Sequence, residues 1–383
     1  MALEFARQFL RLRTIKVAQY QPGRYMALLT WCVAVMTSAG PVAAQASFAG
    51  GSPPAQGWRI QSNADLDLWF HGLAVVGFEG YGPLQMYDSG YRQKIAAAKK
   101  QLGLAPTLLD RRARAFKAAF DRDSTFEVMH FLPLYFIASG SGEILADMRE
   151  ITRENSSPRR AEVLPGSTLR AAARSVFSTP ARRKTLSTFL DALEAERRDF
   201  YAEYAKDRSQ AAEEITRLFA HSWNYSIRHS LAPFLKTTRA RSGIVLLSPA
   251  VGGEGRSVRI GDFGTDYSIV VVGMPSSTSD YLSPASSVVR ELCFSVAHEV
   301  LDAVQPVKAD RIFADRLSSI TAVRCGSQAI EMYLPSLSSS YQALFLHAVG
   351  VPAPRTNLPA AFSAAFPVPP GVDAGLRRAL GAQ

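Results

Sequence analysis

Residues 243–248 read Gly-Ile-Val-Leu-Leu-Ser, and residues 267–273 read Tyr-Ser-Ile-Val-Val-Val-Gly. Short apolar runs rich in β-branched side chains are typical of buried β-strands. A weaker strand is predicted around residues 258–260, whereas most of the chain on either side has apolar residues at helical spacing. The sequence therefore predicts a mostly helical α+β protein, in the order helices, small β-sheet, helices.

A glycine cluster, Gly252-Gly253-Glu254-Gly255, separates the first strand from the others. Glycine-rich loops can surround a phosphate group when a lysine and a helix follow them. Neither follows here, so the cluster is interpreted as a hairpin connection.

The chain divides into three regions after a Gly/Pro/Ser linker at residues 50–57. Residues 58–240 are predicted to form a helical lobe, and residues 241–350 a second lobe that contains the sheet and further helices. Residues 351–383 are rich in Pro and Ala, and we expect this tail to be extended or to lie on the surface.

The first 46 residues have the order of a secretory signal. A basic stretch ends at Arg24, an apolar run covers residues 25–39, and small residues allow cleavage after Ala44 or Ala46. The alternative is an uncleaved anchor, but a run of about 15 residues is shorter than the roughly 20 needed to span a bilayer. We therefore expect a signal peptide and an exported protein, periplasmic or secreted, without stable membrane insertion after cleavage.

Charge and composition exclude two broad classes of protein. The 383 residues carry 43 Lys and Arg against 33 Asp and Glu, a net charge of +10, which falls to +6 without the first 46 residues. This mild charge argues against a dedicated nucleic-acid binder. A composition with 47% hydrophobic and 20% charged residues argues against a disordered chain.

Two cysteines, Cys293 and Cys325, remain if Cys32 is removed with the signal. In an oxidising compartment a disulfide between them would persist, and we hypothesise that they pair. The alternative is two separate buried thiols.

A polar stripe marks the helix predicted at residues 287–304. On a helical wheel, four other polar side chains lie within about 100° of His298: Glu291, Ser295, Glu299 and Asp302. The remaining surface is apolar apart from Arg290. Such a helix is mostly buried, and its stripe must face water, a cleft or a cation.

The pattern His298-Glu299-x-x-Asp302 resembles the His-Glu-x-x-His helix of zincin-type metallopeptidases. The resemblance implies a zinc ion bound by His298 and Asp302, with Glu299 as the general base that activates a metal-bound water. It also implies a third ligand from the following helix. The candidates are Asp310, Asp315 and Glu331.

Three interpretations of this stripe stay open. The first is an exported zinc peptidase, a hydrolase that cleaves an extended peptide lying along a sheet edge. The second is a zincin-like envelope protein without catalysis, with a binding or scaffold role. In the third the stripe is the solvent face of a packed helix in a purely helical protein, with His298 and Asp302 as an i, i+4 pair.

Other polar residues have structural interpretations. Glu127-x-x-His130 has the spacing of half a di-iron site, but the other half is absent, so a half-buried polar pair is expected. His71, between apolar neighbours, is interpreted as a core histidine. His221 and His229 are expected to lie between helices.

Overall fold

The computed structural model describes residues 57–79, 84–138, 140, 143–153, 167–260, 267–275, 277, 280, 282–304 and 311–381. The predicted export signal, Cys32 and Asp310 lie outside these residues.

A four-stranded mixed sheet forms the centre of the fold. Its strands are β1 (Trp58–Gln61), β2 (Ser242–Ser248), β3 (Arg256–Ile260) and β4 (Tyr267–Gly273). The strand order is β1-β2-β4-β3. The first three strands in this order are parallel, and β3 is antiparallel to β4.

Between β1 and β2 the described residues form ten helices. They are α1 (Ala64–Val76), α2 (Tyr91–Gln101), α3 (Leu108–Arg122), α4 (Leu132–Ala138), α5 (Ile144–Thr152), α6 (Ser167–Val176), α7 (Pro180–Glu196), α8 (Ala202–Ser222), α9 (Arg228–Ser230) and α10 (Ala232–Thr237). A 3-10 turn at Ser124–His130 precedes α4, and π-helical stretches at Arg197–Tyr201 and Trp223–Ile227 flank α8.

Six helices follow β4 in the described part of the chain. They are α11 (Leu282–Leu292), α12 (Phe294–Val304), α13 (Arg311–Tyr333), α14 (Ser338–Ala348), α15 (Leu358–Ala365) and α16 (Val372–Ala379). A 3-10 turn at Pro335–Leu337 joins α13 to α14. The predicted fold class, mostly helical α+β, is confirmed. No described helix combines the length and the hydropathy that crossing a membrane requires.

The alternation of side chains along β2 separates two hydrophobic cores. Ile244 and Leu246 face a core made with helices from α1 to α7. Val245 and Leu247 face a second core made with helices from α8 to α16. Both faces of the sheet are therefore covered, which explains why its strands are continuous apolar runs. The sheet thus combines β1 from the first predicted lobe with three strands from the second.

Several local expectations differ from the structure. The glycine cluster is not a hairpin, because β2 pairs with β4 and the chain returns as β3 on the far side of β4. The helix predicted at residues 287–304 is two helices, α11 and α12, which meet at Cys293. The C-terminal region is not extended: α15 and α16 bury Phe362 and Leu376 in the second core.

The hypothesis of a disulfide is wrong for this structure. The thiols of Cys293 and Cys325 are free and fully buried. Burial raises the pKa of the Cys293 thiol, and the neighbouring Cys325 thiol adds to this effect. Both therefore behave as small core residues.

Candidate functional site

The zincin-like residues lie on the solvent face of α12. His298, Glu299 and Asp302 are all exposed, while Val296 and Val300 of the same helix are buried. The break at Cys293 takes Glu291 away from this stripe, because Glu291 ends α11 in the protein interior. The stripe therefore contains fewer acids than the helical wheel predicted.

The described residues do not form a complete set of metal ligands around His298. The ring atom Nδ1 of His298 lies 3.4 Å from the Ser318 hydroxyl on α13. Glu331 follows Ser318 by 13 residues on the same helix, about 20 Å along its axis. Glu331 and Asp315 are both exposed. Among the residues described, no three His, Cys, Asp or Glu side chains are grouped so that they could hold a metal ion. Zinc binding and the role of Glu299 stay predictions.

A buried charge network lies where β4 ends and β3 begins. The guanidinium of Arg290 is fully buried and donates to Glu254, Glu291 and the Ser319 hydroxyl. Burial raises the pKa of Glu254, but Arg290 and Arg256 more than offset this and hold it below its usual value. The network contains two arginines, Arg256 and Arg290, and two glutamates, Glu254 and Glu291. Its charged groups thus have partners within the protein, and its role is to connect β3, α11 and α13.

The glycine cluster beside this network serves close packing. The amide of Gly252 donates to the Met86 carbonyl at 2.8 Å, and that of Glu254 donates to the Gln85 carbonyl at 2.9 Å. A Cβ atom on Gly252 would lie 2.6 Å from the backbone of Asp88. Glycine is needed here because another chain segment crosses the loop, and not because a phosphate binds.

A second polar cluster joins α1, α2, α3 and α7 and reaches the surface. The ammonium group of Lys99 lies 2.6 Å from Glu196 Oε1 and 2.7 Å from Asp110 Oδ2. Lys99 and Glu196 are buried, whereas the side chain of Asp110 is 28% exposed. Burial raises the pKa of Glu196, but hydrogen bonds from His71, Lys99 and Thr107 outweigh it and lower the pKa. Glu196 is therefore held as a carboxylate.

His71 extends this cluster into the interior. Its Nε2 atom lies 3.0 Å from Glu196, and its Nδ1 atom lies 3.0 Å from the Tyr91 hydroxyl. Burial lowers the pKa of His71 even though Glu196 acts in the opposite direction. A neutral ring that donates to Glu196 and accepts from Tyr91 satisfies both contacts. His71 is thus a hydrogen-bonded core histidine, as its apolar neighbours indicate.

Asp67 lies one helical turn before His71, at the carboxyl end of β2. Burial raises the pKa of Asp67 to about 7, and the nearby Ser248 side chain lowers it only in part. The Oδ1 atom of Asp67 and the Ser248 hydroxyl are enclosed and without a hydrogen bond to any described residue. A protonated Asp67 is consistent with this environment because, among the described residues, no cation offsets the loss of hydration.

The outer end of the Lys99 cluster opens into a cleft of about 530 Å³ between α2 and α3. Lys99 and Asp110 form part of its wall, and the exposed side chains of Arg92 and Lys100 stand at its edge. Most other lining residues are apolar: Val75, Ile95, Ala96, Leu104, Ala105, Pro106 and Ala113. A concave surface with an apolar lining and a few charged groups is a typical binding site.

Local sequence fixes the geometry of this cleft. Thr107 caps α3: its hydroxyl accepts from the Asp110 amide, and Asp110 in turn accepts from the Thr107 amide. This reciprocal arrangement is a capping box and fixes where α3 begins. Gly103 has a φ angle of 66°, so the loop before the cap uses the left-handed backbone that glycine favours. Asp110 is thereby held against Lys99.

Sequence reasoning missed this cluster, although one signal was present. Tyr91, Ile95 and Lys99 are spaced four residues apart and form the buried face of α2. A lysine on the apolar face of a helix needs a buried partner. That partner, Glu196, is 97 residues away, and the chain gives no local sign of it.

The surroundings of His130 and His221 agree only in part with the interpretations made from the sequence. His130 is buried, stacks on Phe78 and contacts the Tyr87 hydroxyl at 3.1 Å. The ring of His221 lies 4.5 Å from that of Tyr225 at a tilt of 35°. Tyr225 is 75% exposed, so this part of the chain faces solvent. Neither histidine belongs to a group of metal ligands in the described residues.

Comparisons were made with protein-family models, with curated proteins and with solved structures, and none of them gave a match.

Proposed function

We propose that this protein binds a ligand in the cleft between α2 and α3, and that the part of the ligand in the cleft carries a carboxylate next to apolar atoms. The observation that carries the proposal is the combination of an apolar lining with two exposed cations, Arg92 and Lys100, in the same cleft. This proposal corresponds to the binding role left open by the sequence.

The charges of the cleft decide which groups meet the ligand. Two carboxylates, Asp110 and Glu196, already contact Lys99. The charge of Lys99 is therefore compensated within the protein. Arg92 and Lys100 remain as the cations at the surface that attract an anion.

The buried cluster supports binding by fixing the wall of the cleft. Lys99 on α2 contacts Asp110 on α3 and Glu196 on α7, and Glu196 contacts His71 on α1. Four helices are thus connected directly behind the lining. A wall that is rigid before the ligand arrives reduces the entropy lost on binding.

The size of the cleft and its surroundings favour a small amphipathic group. Its volume of about 530 Å³ falls within the range of known ligand sites. Leu104 in its wall and the nearby Leu102 are exposed large apolar side chains. Exposed apolar groups beside charged ones are typical of interaction sites.

Calorimetry with hexanoate tests the proposal. We expect hexanoate to bind to the full chain, and to bind more tightly than hexanamide, which has the same tail without the charge. The double variant Arg92→Gln/Lys100→Gln should weaken hexanoate binding by about 5-fold to 30-fold, which corresponds to about 1–2 kcal/mol from two exposed charges.

Arg217→Gln is the matched control, because Arg217 is an exposed arginine on α8 that does not line the cleft. It should leave the affinity unchanged. Equal affinities for hexanoate and hexanamide, or an unaltered affinity in the double variant, would contradict the proposal.

A further inference from the structure

A second depression, of about 380 Å³, lies next to the cleft. Both share Leu104, Ala105 and Pro106 as lining. These three residues belong to the loop between α2 and α3. The loop is therefore a ridge with one depression on each side.

The ridge is apolar and exposed. The side chain of Leu102 is 59% exposed and that of Leu104 is 38% exposed. Arg111 donates to the Pro106 carbonyl at 2.5 Å, and this contact ties the end of the ridge to α3. A binding partner would therefore contact apolar side chains on a loop whose backbone is held in place.

The second depression repeats the charge of the first. Arg111 and Arg198 line it, both are exposed, and its one acid is Asp199, which lies 2.8 Å from Arg198. Asp199 compensates the charge of Arg198, so Arg111 carries the excess positive charge of this depression. Cations therefore stand on both sides of the apolar ridge.

We propose that the two depressions and the ridge form one site for an extended acidic peptide. One acidic side chain of the peptide lies near Arg92 and Lys100, a second lies near Arg111 and Arg198, and an apolar residue between them contacts Leu104. This inference rests on the proposed function of the first cleft and names the class of its ligand.

An extended peptide suits this shape because the number of residues between its two acids sets how far apart they lie across the ridge. Extended chains advance about 3.3–3.6 Å per residue, so two acids separated by three residues are about 14 Å apart. The loop separates the two proposed positions for acidic groups, so a compact small molecule would occupy only one of the depressions. Charge complementarity on both sides then sets the register of the peptide.

Fluorescence anisotropy with a labelled peptide tests the inference. The probe is Glu-Ala-Leu-Ala-Glu with both ends blocked and fluorescein on a side-chain linker, titrated with the full chain. The reference is the same peptide with its second glutamate replaced by glutamine. We expect the two-acid peptide to bind about 5-fold to 30-fold more tightly than the one-acid peptide.

Variants then locate the second acid. In Arg111→Gln/Arg198→Gln the ratio of the dissociation constants of the one-acid and two-acid peptides should fall to near one. Arg217→Gln should preserve this ratio. If the ratio persists in Arg111→Gln/Arg198→Gln, or if the wild-type protein does not distinguish the peptides while it still binds hexanoate, the second depression is not part of the site. Loss of hexanoate binding as well would mean that the first cleft fails.

Discussion

Replacing Lys99 with methionine tests whether the buried cluster holds the wall of the cleft. Lys99 is 5% exposed, and its ammonium group contacts Glu196 at 2.6 Å and Asp110 at 2.7 Å. Methionine fills a similar volume but leaves Glu196 buried as an uncompensated carboxylate. Breaking a buried ion pair in this way costs about 3–5 kcal/mol. We expect Lys99→Met to lower the free energy of unfolding by that amount at pH 7.5, measured by urea denaturation.

The pH dependence of this loss follows from Glu196. In the wild type the pKa of Glu196 is lowered, so its contribution is present above the unfolded pKa and is lost as the pH falls through the folded pKa. Burial opposes the charged form of Glu196, so losing the hydrogen bond from Lys99 should raise its pKa, although His71 and Thr107 still act in the lowering direction. The difference in the free energy of unfolding between Lys99→Met and the wild type should therefore be largest at pH 8 and smallest near pH 4.

A second variant separates the charge from the packing. Glu196→Gln combined with Lys99→Met removes both charges, so the double variant should recover about half or more of the stability lost by Lys99→Met alone. The reasoning is refuted if the free energy of unfolding of Lys99→Met lies within about 1 kcal/mol of the wild-type value. It is also refuted if the stability lost in Lys99→Met does not depend on pH.

Three further predictions concern other parts of the structure. The raised pKa of Asp67 means that the folded wild type loses stability as the pH rises from about 4 to 7, so Asp67→Asn should be more stable than the wild type by about 4 kcal/mol at pH 8 and not at pH 4. Thermal unfolding at the two pH values measures this, and an equal difference at both would contradict it. Gly72→Ala should cost about 1–3 kcal/mol in urea unfolding, because its Cβ atom would lie 2.2 Å from Leu193 between α1 and α7; an unchanged midpoint would show that Leu193 can move aside. The predicted zinc site is tested by zinc analysis after dialysis: a site formed by His298, Asp302 and a further ligand should hold about one zinc per chain, which His298→Ala should abolish. A wild-type content well below one zinc per chain would contradict the metallopeptidase hypothesis.

The sequence predicts those parts of the fold that depend on local patterns. Strands β2 and β4 are recognisable because both faces of each are buried, so their apolar runs are continuous. Strand β1, only four residues long, is not recognisable, since it exists by pairing with β2 more than 180 residues later. The break at Cys293 has no glycine or proline to mark it, and the C-terminal helices form because the second core accepts their apolar side chains.

The candidate site depends on contacts that are distant in the chain. The stripe around His298 is visible on a helical wheel, and the structure places it on the surface. Lys99 and Arg290 are not predictable in the same way, because their partners come from other helices and from a loop. A buried lysine or arginine can be suspected from its place on an apolar helix face, but its counter-ion requires the tertiary structure.

The measurement that tests the central claim most directly is the ratio of hexanamide to hexanoate dissociation constants, determined for the full chain and for Arg92→Gln/Lys100→Gln. We predict a ratio well above one for the wild type that falls towards one in the double variant. A ratio of one in the wild type, or a ratio that the double variant does not change, would show that this cleft is not an anion-binding site.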